Sequence, residues 1–319
     1  MKKLVILISV CALASTVFAA GKTQTKTAAK TGAKKAPVEM VVVESADYTS
    51  GKANPQVSAG LAGFFQGEPK VKVLTLEEAL QNPQLAGVDY SFLPVYLVKK
   101  TKDNRAQVEE HIKAGHVQEN DNYLIFKHLT RTGVYTDKEV QPNVLEIFVM
   151  SQCPYGAMAE GLILDAQKEG RMPVDKEIRL RYIVNYNDKT DEFQSLHGSA
   201  EWEENVRQLL IAKYYPKKFW KYLEIRNKDY RSSRWDKAME EAGINAKKIM
   251  KKFDTEGKEL LKAEAAYGNQ YGINASPSFL WEGKEVLDFG SVAQKEGLEF
   301  LNPARKANNQ RAAVPAGSC

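Results

Sequence analysis

The stretch VLEIFVMSQCPYGAMAEGLIL, residues 144–164, constrains this chain more than any other. Its first six residues form an apolar run that reads as a buried strand, and the Ala/Met/Leu-rich part from Pro154 reads as a helix. Pro154 suits the first helical position, because its missing N–H would have no partner there and its φ is already helical. Cys153 therefore sits where a strand feeds a helix. A helix N-terminus offers unpaired N–H groups and a partial positive charge, so a thiolate is favoured at that position. The competing reading is a small buried apolar side chain, the commonest fate of a lone cysteine.

The 319 residues are 43% hydrophobic and 27% charged, which fits one or two globular domains. Residues 1–20 have the Lys2-Lys3 start, the apolar run and the small-residue site of a secretory signal peptide, with cleavage expected after Ala19 or Ala20. Export to the periplasm or outside the cell follows, and no other run is long and apolar enough to predict stable membrane insertion. Residues 21–37 are rich in Lys, Ala and Thr and read as a solvated linker. Much of the formal net charge of +5 lies there and in the signal, so no basic face for nucleic acid is expected.

Of the three cysteines, Cys11 falls within the signal, which leaves Cys153 and Cys319. A chain with two cysteines is not a disulfide-stapled scaffold and must rest on packing. Either the two pair with each other or with outside thiols, or Cys153 is a lone reactive group.

The pattern of apolar runs divides the remainder into two α/β units, 38–141 and 142–301, followed by a tail at 302–319. The first runs strand, polar turn at 47–55, helix at 57–65, strand, short helix at 76–80, a strand beginning after Pro94, a helix at 105–114 and an apolar run at 123–129. The second has the strand and turn already described, a helix at 154–168, a strand at 178–184, a helical region at about 199–271 and a strand hairpin at 276–287. Within the helical region, Trp202, Val206 and Leu209 recur at helical spacing before Pro216, and Phe219, Trp220 and Leu223 form the next stripe. Gly243 reads as a stop and Asn245 as an N-cap.

Cys153-Pro154-Tyr155, the helical insertion and the later Ser276-Pro277 before a β-run together resemble the thioredoxin-like fold of the DsbA family. The resemblance covers 142–301 and implies a cis Pro277 close to the Cys153 sulfur, with Pro154, Tyr155, Gly156 and Ser276 shaping a groove beside it. The first unit is similar in outline to a degenerate thioredoxin-like domain, with Pro94 in the cis-proline position and 47–55 where cysteines would be.

Gly156 departs from the family's Cys-x-x-Cys pattern. Without a thiol there, the local resolving step of disulfide exchange is lost. Monothiol exchange of isomerase or reductase type through Cys153 remains open, with cysteine-containing envelope proteins or small disulfides as partners. The tail ends in Cys319, and about 18 flexible residues have an r.m.s. reach of ~20–25 Å, enough for Cys319 to resolve Cys153 if its anchor lies on the same side. Cys319 as a bystander or as an intermolecular partner is the competing reading. His111, His116, His128 and His197 show no metal-ligand spacing, so no metal is expected, and no glycine-rich phosphate motif implies a cofactor. His197 reads as a capping or surface residue near the active turn. The alternative to redox chemistry is a redox-inactive, peptide-binding chaperone or adaptor module.

Overall fold

The computed structural model describes residues 36–302. The expected signal peptide, nearly all of the expected linker and Cys319 lie outside the described residues.

Thirteen strands are described: β1 (Pro37–Glu44), β2 (Glu68–Thr75), β3 (Phe92–Leu93), β4 (Val95–Lys99), β5 (Gln118–Glu119), β6 (Tyr123–Phe126), β7 (Gly133–Tyr135), β8 (Val144–Val149), β9 (Glu177–Tyr182), β10 (Asn185–Asn187), β11 (Glu192–Gln194), β12 (Ser278–Trp281) and β13 (Glu285–Leu287). They form a five-stranded sheet in the order β2-β1-β4-β6-β5, a six-stranded sheet in the order β3-β7-β13-β12-β8-β9, and the small hairpin β10-β11. Each large sheet contains one parallel pair, β1 with β2 and β8 with β9.

β1 shows why a nearly continuous apolar run belongs at a sheet centre. Met40 and Val42 pack into a core with Leu61 and Ala62 of the helix Pro55–Phe64, while Val41 and Val43 face Leu74, Ala79 and Leu85 on the other side. Both faces of the strand are thus buried, and no polar alternation is needed. The helix starts two residues before the expected position because the Asn54 side chain accepts the Gln56 N–H at 2.9 Å, with Pro55 in the first helical position. The expected helix at 105–114 is two pieces, Lys102–Gln107 and Glu109–Lys113, separated at the buried Val108.

The boundary at 141/142 is not where the sheets divide. β3 and β7, both from the earlier part of the chain, hydrogen-bond to each other, and β7 pairs with β13. Gly133 permits this, since a Cβ there would overlap the Phe92 ring and come 2.6 Å from the Leu93 carbonyl oxygen. The chain then passes through Pro94 directly into β4 of the first sheet. Both Leu93–Pro94 and Ser276–Pro277 are cis peptides.

The region at 199–271 is helical, with segments Ser199–Tyr214, Pro216–Asn227, Trp235–Glu241, Ala246–Met250 and Lys258–Gln270 and a π-helical turn at Phe253–Gly257. Val206, Phe219, Leu223, Met239 and Phe253 share one core with Leu145, Ile147 and Val149 of β8, Ile163 and Phe279. Gly243 has φ +71°, the left-handed conformation that ends a helix most cheaply when glycine supplies it. The expected strand at 178–184 stops at Tyr182.

Candidate functional site

Residues 150–153 form a turn in which the Cys153 N–H donates to the Met150 carbonyl at 2.9 Å. Cys153 is the N-cap of the helix Pro154–Lys168, with extended backbone and Pro154 at the first helical position. Its Sγ accepts the Gly156 N–H at 3.4 Å. A free thiolate at this helix start is what the sequence favours, and that expectation is corrected. Cys153 is fully buried and held in a disulfide. It is the only cysteine among the described residues, so its partner lies outside them. A sulfur in a disulfide carries no charge, and the helix end can favour a thiolate only after reduction.

The loop before β12 closes on this turn. The pairing of Ser278 with Phe148 brings Pro277 to the end of β8. The Ser276 hydroxyl accepts the Met150 N–H at 2.9 Å, and the Ser276 carbonyl oxygen lies 3.7 Å from Cys153 Sγ. That second approach is a contact rather than a hydrogen bond, because a bonded sulfur has no proton to give. Cys153, Gly156, Ser276 and Pro277 are therefore brought together, while Pro154 and Tyr155 are partly exposed beside them. Cys319 lies outside the described residues.

Gly156 is more than a missing thiol. A Cβ there would stand 2.9 Å from the Met150 carbonyl oxygen, 3.0 Å from Ser276 Oγ and 3.3 Å from Val149 Cβ. Two of these neighbours are backbone or tied to backbone, so the turn has closed over the space that a second motif cysteine would use.

Behind the turn lies a set of buried polar groups that the sequence did not reveal. The Gln152 N–H donates to Glu201 Oε1 at 3.1 Å, and His197 Nδ1 lies 2.7 Å from the same oxygen. Ser151 Oγ donates to the Glu201 carbonyl and the Ser151 N–H to Asn205 Oδ1. His197 is thus one carboxylate removed from the Cys153 turn. Two helical turns beyond Cys153, Glu160 is 2% exposed. Burial pushes its carboxyl up to about 7, with an Asn227 hydrogen bond opposing and the Glu204 charge adding to the rise. Glu204 is fully buried, and although burial opposes its charge, Arg226 and Arg207 hold it below the usual carboxylate range. It accepts from Arg207 Nε at 2.8 Å, Arg226 Nε at 3.1 Å, Tyr222 Oη at 2.8 Å and Gln208 Nε2 at 3.1 Å. In sequence, Glu160, Glu201 and Glu204 look like a solvated helix face.

The corresponding position of the first unit is closed. Ser50 Oγ donates to Glu285 Oε1 at 2.8 Å, and a Cβ on Gly51 would come 2.7 Å from both Ser45 Cβ and Val134 Cγ1. The two residues before cis-Pro94 are already paired with β7.

Two surface clefts, one lined by Tyr214, Tyr215 and Lys248 and the other by Arg179, Arg181 and Trp220, lie on the helical insertion and along β9, away from Cys153. Among the described residues no cluster of His, Cys, Asp and Glu has a metal-binding arrangement, and no helix is long and apolar enough to cross a membrane.

No protein-family model matches the chain, and no curated protein matches it. Among solved structures it is similar to the DsbA disulfide interchange protein of Klebsiella pneumoniae, at 18% identity and TM-score 0.36 over 53% of this chain and 88% of that one. It is also similar to oxidised BdbD of Bacillus subtilis, at 14% identity and TM-score 0.39 over 60% and 95%. The MdbA thiol-disulfide oxidoreductase of Corynebacterium diphtheriae is similar at 15% identity and TM-score 0.36 over 49% and 83%.

Proposed function

We propose that this chain is an exported thiol-disulfide exchange protein of monothiol type, acting through Cys153 and resolved by Cys319. The observation that carries the reading is the disulfide at Cys153, set at a helix N-cap beneath the Gly156 N–H and against the Ser276 carbonyl of the cis-Pro277 loop. If residues 1–20 leave on export, Cys319 is the remaining cysteine that can supply the partner within one chain. An incoming thiolate attacks the Cys153 sulfur, the old S–S bond breaks, and the Cys319 sulfur leaves as a thiolate. In the reverse direction the Cys153 thiolate of the reduced protein attacks a substrate disulfide and one substrate sulfur leaves as a thiolate; the Cys319 thiolate then attacks Cys153 Sγ and expels the second, so the substrate disulfide is reduced, the Cys153–Cys319 bond is restored and Cys319 performs the resolution that position 156 cannot. Cysteine-containing envelope proteins or small disulfides are the partners, with Pro154, Tyr155, Ser276 and Pro277 forming the rim. Neither a metal nor a cofactor enters the step.

Peptide mapping under non-reducing conditions identifies the partner of Cys153, with a Cys153–Cys319 peptide expected. In Cys319→Ala protein, the alkylation rate of Cys153 against pH then reports its thiolate, expected to titrate clearly below the ~8.5 of a free cysteine. A thiol that stays inert at every pH in that variant sinks the exchange reading and leaves a structural disulfide on a binding module.

A further inference from the structure

We infer that the group exchanged at Cys153 is anionic, a thiol or disulfide with a carboxylate a few bonds from its sulfur, and that Arg231 is the residue that selects it. This rests on the exchange reading above and names its substrate class.

Arg231 is exposed, its Nε lies 3.5 Å from the Gln152 carbonyl oxygen, and its guanidinium sits 5.6 Å over the Tyr230 ring. Gln152 immediately precedes Cys153, so this positive charge stands at the rim of the reactive sulfur. The placement is built from the interior outward. Buried Arg226 is anchored on Glu204 and donates Nη2 to the Tyr230 carbonyl at 3.2 Å and Nη1 to the Ser232 carbonyl at 2.9 Å. The backbone turn adds Asp229 N–H to Arg226 O and Ser232 N–H to Asp229 O, each at 3.0 Å. Asn227 Nδ2 reaches the Ala157 carbonyl in the first turn of the Cys153 helix at 3.4 Å. The loop bearing Arg231 is therefore fixed at both its root and its crown.

Its charge is also unbalanced towards the cation. The loop sequence KDYRSSR, residues 228–234, has Lys228, Arg231 and Arg234 against Asp229 alone. Glu201, the acid nearest behind the turn, is buried and engaged by His197 and the Gln152 N–H. The residue before the sulfur thus has an exposed cation at its carbonyl and a buried carboxylate at its N–H. A guanidinium accepts a carboxylate in a planar, two-bond arrangement, so a carboxylate-bearing thiol is both drawn in and oriented. In the exchange, its thiolate attacks Cys153 Sγ, the resting S–S bond breaks, and the displaced sulfur leaves as a thiolate and takes a proton from solvent. The incoming thiol is oxidised and the resting disulfide reduced.

The test uses the intact oxidised protein and three reductants: glutathione (anionic), 2-mercaptoethanol (neutral) and cysteamine (cationic). Acid-quenched samples are read by mass spectrometry for the adduct on Cys153, and rates are compared per thiolate. Glutathione is expected to lead and cysteamine to trail. In Arg231→Gln the glutathione-to-cysteamine ratio should fall about two- to fivefold, the scale of one exposed charge interaction, whereas Arg231→Lys should keep most of it. A ratio unmoved by Arg231→Gln, with adducts still forming, overturns the selection alone. No Cys153 adduct and no opening of the resting disulfide with any of the three overturns the exchange reading together with it.

Discussion

The two sheets carry proline loops of the same kind and put opposite things beside them. Before cis-Pro94, β3 is consumed by pairing with β7, the Thr49–Gly51 turn is packed on neighbouring strands, and the buried polar residues of that part are the serines Ser45 and Ser58. Beside cis-Pro277 lie a disulfide-bonded cysteine and an interior holding Glu146, Glu160, Glu201, Glu204, Arg207, Arg226, Glu264 and Glu285. A buried ionic group is costly unless fully partnered, so an interior that keeps eight of them depends on its ion pairs and hydrogen bonds. The buried charge and the disulfide both lie in the second unit, and the first has neither among its described residues.

The sharpest way to break this contrast is to remove the carboxylate on which two buried arginines depend. Glu204→Ala leaves Arg226 without its counter-charge and Arg207 with only Glu203, 3.7 Å away, and should cost about 3–5 kcal/mol in denaturant unfolding. A loss below ~1 kcal/mol would mean that the interior charges are no more demanding than the serines of the first unit.

Glu160 gives the next effect, and its sign is opposite to that of a salt-bridged acid. The unfolded chain releases this proton near 4.5, while the folded protein holds it to about 7. Folding therefore loses stability as pH rises through that window, by on the order of 3 kcal/mol, and levels off above it. Comparing unfolding midpoints at pH 5 and pH 8, Glu160→Gln should flatten the decline; an unchanged slope would assign it to other groups.

Smaller still are the changes that probe how tightly each turn is shut. Gly133→Ala and Gly51→Ala in the first unit, and Gly156→Ala in the second, should each cost about 1–3 kcal/mol by overpacking. A neutral Gly156→Ala would show that the space is open, and Gly156→Cys would then be expected to restore a local dithiol. At the bottom of the scale, Lys70→Ala, which breaks the exposed pair with Glu39 3.2 Å away, should leave the unfolding midpoint unmoved in the same measurement.

Much of the second unit was legible because its signals are strong and local. An apolar strand, a proline at a helix start, another before a β-run and aromatic stripes at helical spacing point to β8, Cys153, Pro277 and the insertion without help from tertiary context. β3 and β7 were not legible, since two or three residues show no periodicity. Glu160, Glu201 and Arg231 were hidden for a different reason: a charged residue on a helix or in a polar loop reads as solvated, and only packing by elements distant in sequence changes its meaning. That the Cys153 sulfur is held in a disulfide is a pairing that no local pattern encodes.

The backbone from Phe92 to Lys99 leaves one sheet and enters the other across a single proline peptide, without a connecting loop. Such a seam has a cost for anyone who would take the molecule apart. A chain begun at residue 142 would lack β3 and β7 and present β13 as a bare edge, an invitation to pair with other molecules. The halves that look like modules in the sequence are stitched, and the one that carries Cys153 is not a portable part.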